Sequence, residues 1–291
     1  MGRMRLRAGL VSALLAFYGM CGVLAAAENE NALRDVAAML RDIDPSDDYA
    51  TVPTAATVLL PELKSRLASA ILEQLPEASP AELDLPLLQE RLTALARRFG
   101  PPEDEAEDEA EADEDTPTSI YGYVLDVRAI RFPLNPAILG ITFSVQIPCG
   151  EDTGALLVRR SGGRWETDFT LDSGPYKSID GAFGRLQVGV TPPAEDGSYY
   201  FVSANVNPWC TSNWQALRYS VHRLVAGRAP EEIFASQEII YVGRDEPVYD
   251  LRVEKSGFSL SFAASDDDNP GDTVERTVTR SLAGKAVQQL R

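Results

Sequence analysis

Apolar residues recur along this chain with two different periods, and the change between them divides it. From Glu28 to Gly100 the spacing is helical. Leu33, Val36, Ala37 and Leu40 share one face; Leu60, Leu63, Leu67, Ile71 and Leu75 share a second; Leu88, Leu92 and Leu95 make a third. Three short helices are predicted, their stripes buried against one another as a small bundle or as a hairpin laid on the next domain. Ser79-Pro80-Ala81-Glu82 predicts a helix start, with a capping hydroxyl, proline at the first helical position and an acid three residues on. Pro86 breaks or restarts that helix, and Gly100-Pro101-Pro102 stops it.

After Thr116 the period becomes two. Tyr121, Tyr123, Leu125 and Val127 alternate, and Ile141, Phe143, Val145 and Ile147 alternate against Thr142, Ser144 and Gln146, as in antiparallel strands with one wet face. Leu156–Arg160 and Trp165–Leu171 flank Ser161-Gly162-Gly163, a hairpin turn that uses glycine's access to positive φ. Ser198–Leu224 is the richest stretch: Tyr200, Val202, Ala204 and Val206 alternate, Pro208 ends that strand, and Leu217, Tyr219 and Val221 form the next. Further strands are expected at Arg185–Val190, Glu238–Val242, Val248–Glu254, Gly257–Phe262 and Thr273–Leu282. The fold class expected is therefore mainly β, an antiparallel sandwich or barrel of about nine or ten strands preceded by a small α-helical region. Leu156-x-Val158-x-Arg160-Ser161-Gly162 is echoed by Leu251-x-Val253-x-Lys255-Ser256-Gly257. Two matches read as recurrent hairpin chemistry, although a duplication would give propeller blades or a pseudo-symmetric sandwich.

Composition adds boundaries. Glu103 to Asp115 holds ten acids in thirteen residues, a self-repelling run with nothing to bury, so residues 103–117 are expected to be a disordered tether. Arg3, Arg5 and Arg7 precede an apolar run from Leu10 to Leu24 and the small residues Ala25-Ala26-Ala27. That is the pattern of a secretory signal peptide covering residues 1–27, and the run is short for a membrane span. The partition expected is thus 1–27, 28–102, 103–117 and 118–291, with no stable membrane insertion after cleavage. The remainder carries 24 basic against 44 acidic residues, a net −20, which disfavours nucleic acid and anionic lipid as partners. Two cysteines, Cys149 and Cys210, remain beyond the signal, and in an exported chain they are expected to pair. Enclosing about 60 residues, the bridge is worth roughly 4 kcal/mol in the chain-closure description.

Candidate chemistry is sparse. His222, the one histidine, shares a strand face with Arg218 and Ser220 and reads as a solvated strand residue; no Gly-x-Ser-x-Gly supplies a nucleophile. Asp168, Asp172 and Asp180 lie near Trp165, Phe169 and Tyr176, the nearest approach to a carboxylate cleft for a hydrolase. Asp266, Asp268 and Asp272 cluster in a turn that suits calcium, without the ordered register of a dedicated loop; no other cofactor is expected. Trp209 and Trp214, with Asn205, Asn207 and Asn213, offer a stacking surface and amide donors of the kind that hold a sugar ring. The same residues serve equally well to close one end of a β core around Cys210. The resulting reading is an exported, periplasmic or extracellular, non-catalytic binding or interaction module with a protein or glycan partner. A carbohydrate-binding module is the first alternative and a carboxylate hydrolase the second.

Overall fold

Helices carry the leucine stripes, as their spacing predicts. In the computed structural model, which describes residues 28–44, 46, 48, 50–102, 120–208, 212–243, 248–266, 272–282 and 288–289, α1 spans 28–41, α2 Thr54–Glu73 and α3 Leu85–Phe99. The signal-like stretch and the acidic run lie outside the described residues. Every leucine of the three stripes is buried. The start of α3 differs from the expectation. Ser79 to Glu82 forms a single turn, closed by Glu82 N donating to the Ser79 carbonyl (3.0 Å) and Ser79 Oγ to Glu82 Oε2 (2.7 Å). The helix begins only at Leu85, where Asp84 Oδ1 accepts from Leu87 N (3.1 Å). Pro86 explains the shift: its ring suits a first helical turn and would break a helix already under way.

Three four-stranded sheets come after the helices, each an antiparallel meander. Sheet I is β1 (Val124–Arg131), β2 (Ile138–Ile147), β3 (Gly150–Ser161) and β4 (Arg164–Leu171). Sheet II is β5 (Gly184–Val190), β6 (Tyr199–Val206), β7 (Trp214–Leu224) and β8 (Glu231–Tyr241). Sheet III is β9 (Tyr249–Glu254), β10 (Gly257–Ser265), β11 (Thr273–Ser281) and the short β12 (Gln288–Gln289). The fold is mainly β with the helices first, as expected, but its strands number twelve among the described residues. The β3–β4 hairpin turns on Gly162 (φ 57°) and Gly163 (φ 83°), both in the left-handed region that a two-residue primed turn requires. The echoed segment crosses from β9 to β10 without a positive-φ residue, and it sits in the first strand of its sheet where its counterpart sits in the third. The echo is therefore local sequence chemistry and not a repeated unit.

The layers stack in the order helices, sheet I, sheet II, sheet III. Leu139, Ile141, Phe143, Val145, Leu156 and Val158 share a core with the helical stripes. Ile138, Ala155 and Leu157, on the other face of sheet I, meet Val190, Tyr199, Phe201 and Leu224 of sheet II. The reverse face of sheet II, Val202, Ala204, Leu217, Tyr219 and Val221, packs on Phe258, Leu260 and Phe262 of sheet III. The central strands of sheet I thus have no wet face, contrary to expectation, and β3 is buried continuously from Asp152 to Val158. The first strand differs too. An irregularity between Val124 and Asp126 takes Leu125 out of the alternation, and it is exposed.

Between α2 and sheet I lies a charge. Lys64 is 1% exposed and Asp152 of β3 is 0% exposed. Lys64 Nζ donates to Asp152 Oδ2 (2.8 Å) and Ser173 Oγ (2.6 Å) and pairs with Asp172 Oδ1. Asp152 also accepts from Tyr176 OH (2.9 Å), Ser173 Oγ (3.1 Å) and the Phe183 amide (3.1 Å). Burial, then the adjacent Asp152 charge, drives the Tyr176 phenol pKa far upward, so it remains a donor. Replacing Lys64 by Met should cost about 3–5 kcal/mol, because Asp152 is left buried without its counter-ion. Urea denaturation of the two proteins measures it.

Candidate binding cleft on sheet II

The loop from 172 to 183, clamped by that network, has two sides. Towards the helices Tyr176, Ile179 and Ala182 enter the apolar core, and Ser178 bridges to Thr51. Away from them the Asp180 carbonyl accepts from Asn207 Nδ2 (2.7 Å) and Arg218 Nη1 (3.1 Å) of sheet II. Where sheet I stops covering sheet II, this loop becomes the wall of a cleft of about 530 Å³. Leu171, Asp172 and Phe183 form that wall, and β6, β7 and β8 form the floor.

Strand register arranges the floor in rows. Phe201, His222 and Glu232 are aligned across β6, β7 and β8; then Ser203, Ser220 and Ala235; then Asn205, Arg218 and Gln237. The face shared by Arg218, Ser220 and His222 results from the period of β7, whose alternate residues Leu217, Tyr219 and Val221 go into the core. Further along the same face come Ala216 with Ile239, then Trp214 with Tyr241. The Trp214 and Tyr241 rings meet edge to face at 5.3 Å, and Ile239 is 57% exposed.

Within the cleft, Ser203 and Ser220 share a hydroxyl contact of 3.0 Å, and Arg218 Nε donates to Gln237 Oε1 (3.2 Å). Asn205 is 5% exposed, yet its Nδ2 has no hydrogen-bond partner among the described residues, and the same is true of His222 Nδ1. His222 is not solvated as expected. Its side chain is 13% exposed, held between Phe169 (4.9 Å) and Phe201 (6.4 Å), with Nε2 3.7 Å from Glu232 Oε2. A serine–histidine pair is not assembled, since Ser220 Oγ meets Ser203 and His222 Nδ1 is unpaired among the described residues.

The other expected site residues scatter. Asn207 ties the loop to the end of β6, and Asn213 lies just before β7 with Nδ2 3.5 Å from Tyr241 OH. Asn205 and Trp214 share the cleft face, and Trp209 lies outside the described residues. Cys149 is disulfide-bonded and lies at the β2–β3 turn with φ 65°; its expected partner Cys210 is outside the described residues. Asp266 N donates to the Asp272 carbonyl (3.0 Å), closing the β10–β11 connection, while Asp268 is outside the described residues. No group of three metal-ligating side chains occurs among the described residues. Asp168 pairs with Arg159 (2.8 Å) and accepts from Tyr199 OH (2.9 Å), so it and Asp172 are each committed to a basic partner. Sequence reasoning missed Lys64 and Gln237. Lys64 falls on the 60–63–67–71 stripe, and a charge at a core position was the available signal. No family model, curated protein or solved structure matches the chain.

Burial lowers the His222 pKa below its ordinary 6.5, with Glu232 opposing more weakly. A histidine that stays neutral in the fold contributes nothing at pH 8, and stability falls as pH drops below about 6.5 through the lower folded value. The expected result is that wild type loses more stability than His222→Gln between pH 7.5 and 5.5 in parallel urea titrations.

Proposed function

We propose that the mature chain is an exported, non-catalytic binding module whose ligand is a carbohydrate laid along the uncovered face of sheet II. The observation that carries this reading is one continuous face. It bears the Asn205–Arg218–Gln237 row and, two rows further along, the Trp214–Tyr241 pair, a set of planar polar groups followed by an aromatic surface. A buried amide without a partner costs about 1–3 kcal/mol, and a sugar hydroxyl accepting from Asn205 Nδ2 offsets that cost. One feature supports export: the basic, apolar and small-residue order of residues 1–27. Among the described residues no helix is long and apolar enough to cross a membrane.

Two measurements test the reading. Titrating the mature chain with a panel of soluble neutral and acidic glycans should give a saturable change in tryptophan emission. Trp214→Ala and Asn205→Ala should each weaken the affinity about tenfold, equivalent to about 1.4 kcal/mol, with circular dichroism unchanged. A glycan array with no signal above background for folded protein would overturn it. If Cys149 pairs with Cys210 across a secreted chain, thiol titration of denatured mature protein should find no free cysteine, and Cys149→Ser should release one.

A further inference from the structure

We infer that the sugar held in this cleft is acidic, a uronate whose carboxylate seats on Arg218. The inference rests on the carbohydrate reading and adds the charge of the ligand. Arg218 lies mid-floor, and both groups that it binds are neutral: the Gln237 amide oxygen at 3.2 Å and the Asp180 carbonyl at 3.1 Å. Among the described residues no carboxylate forms an ion pair with its guanidinium. Neither carboxylate that lines the cleft reaches Arg218: one turns into the wall, and the other stands at the far end of the floor, two rows away. Asp172 turns Oδ1 to Lys64, and Glu232 faces His222 at 3.7 Å. Lys64 is shared with Asp152, a fully buried residue held by four donors away from the cleft.

Around Arg218 the floor is left as a donor field. A guanidinium presents two parallel N–H groups to a carboxylate, a match that a hydroxyl does not use in full. A carboxylate arriving there replaces Gln237 Oε1 on Nε, which frees the Gln237 amide for a ring hydroxyl. Asn205 Nδ2, buried and without a partner among the described residues, borders the same position in the row. The Ser203 and Ser220 hydroxyls lie one row away, and Trp214 lies four residues along β7, about 13 Å, where a neighbouring sugar of the same chain stacks. The mature chain's formal charge of −20, 24 basic against 44 acidic residues, slows the approach of an anion, but charges beyond about 8 Å are largely screened at physiological ionic strength.

Calorimetry with trimers of galacturonate, glucuronate and mannuronate, each also as its methyl ester, tests the inference on the whole mature protein. The ester keeps the ring and removes the charge. At least one acid trimer should bind ten or more times tighter than its ester, and Arg218→Gln should abolish that difference. Equal binding of acid and ester overturns the inference and leaves the carbohydrate reading standing. No binding by any of the six also overturns it, and the carbohydrate reading then stands or falls on the neutral glycans. If Arg218→Gln fails to fold, the acid-to-ester ratio of the wild type decides alone.

Discussion

A lysine ammonium buried between a helix and a sheet imposes a condition that the surrounding chain must meet. Removing such a charge from water costs several kcal/mol unless hydrogen-bonding partners of opposite charge accompany it. Here α2 supplies Lys64, β3 supplies Asp152, and the loop after β4 supplies Asp172, Ser173 and Tyr176. None of these elements can shift alone without leaving a charge or a hydroxyl unpaired in the interior. The pairing therefore fixes more than a contact. It sets the height of the helical layer over sheet I and the course of a loop whose far side walls the cleft on sheet II.

Stacking four layers leaves sheets I and II covered on both faces over much of their area, and the exposed strand edges then become the hazard. Two glutamines close two of them in the same way. Gln89 of α3 donates from Nε2 to the Val127 carbonyl (2.8 Å) and accepts from Ala129 N (3.0 Å), filling the outer pair of β1. Gln187 of β5 does this for β9, with the Tyr249 carbonyl (2.8 Å) and Leu251 N (2.9 Å). A side-chain amide reproduces the donor and acceptor of a strand, so an edge treated in this way no longer templates a further one. Inside sheet I, close packing is visible at Gly154. A Cβ there would lie 2.5 Å from Phe143 Cζ, so the absence of a side chain is what lets that ring lie across its neighbour.

Whatever depends on periodicity was legible in the sequence. The leucine stripes of the helices, the Gly162-Gly163 turn and the division of β7 into a core face and a polar face arise from spacing alone, and Arg218, Ser220 and His222 share a side as that spacing requires. Features that depend on partners were hidden. The first half of β8, Glu231 to Gln237, has no clean alternation because a register irregularity opposite Val221 and His222 breaks it. The turn at Ser79 carries helix-start chemistry that Asp84 and Pro86 outcompete. Three stacked sheets and a single sandwich use the same strand patterns, and the choice lies in which faces meet. For the cleft, Ser198–Leu224 does supply two strands of the floor, but its amides divide between opposite duties: Asn207 secures a loop, while Asn205 points its donor at nothing described.

The interior holds both kinds of group: Ser144 Oγ, Thr153 Oγ1 and Asn207 Oδ1, outside the cleft, are also buried without a hydrogen-bond partner among the described residues. Asp152 collects four donors, Lys64 three acceptors, and the two edge glutamines satisfy both ends of their amides. Each buried polar group that is left open carries a cost. At Asn205 and His222 two open groups lie in one cleft, beside an arginine held only by neutral oxygens and above a wall fixed from behind by the buried lysine. Core packing does not call for that arrangement, since Ser203, Asn205 and Ser220 occupy positions where leucine or valine would join sheet II to its neighbours. A bound polar ligand supplies partners for those two open groups together, and it does so on a surface already in place before the ligand arrives.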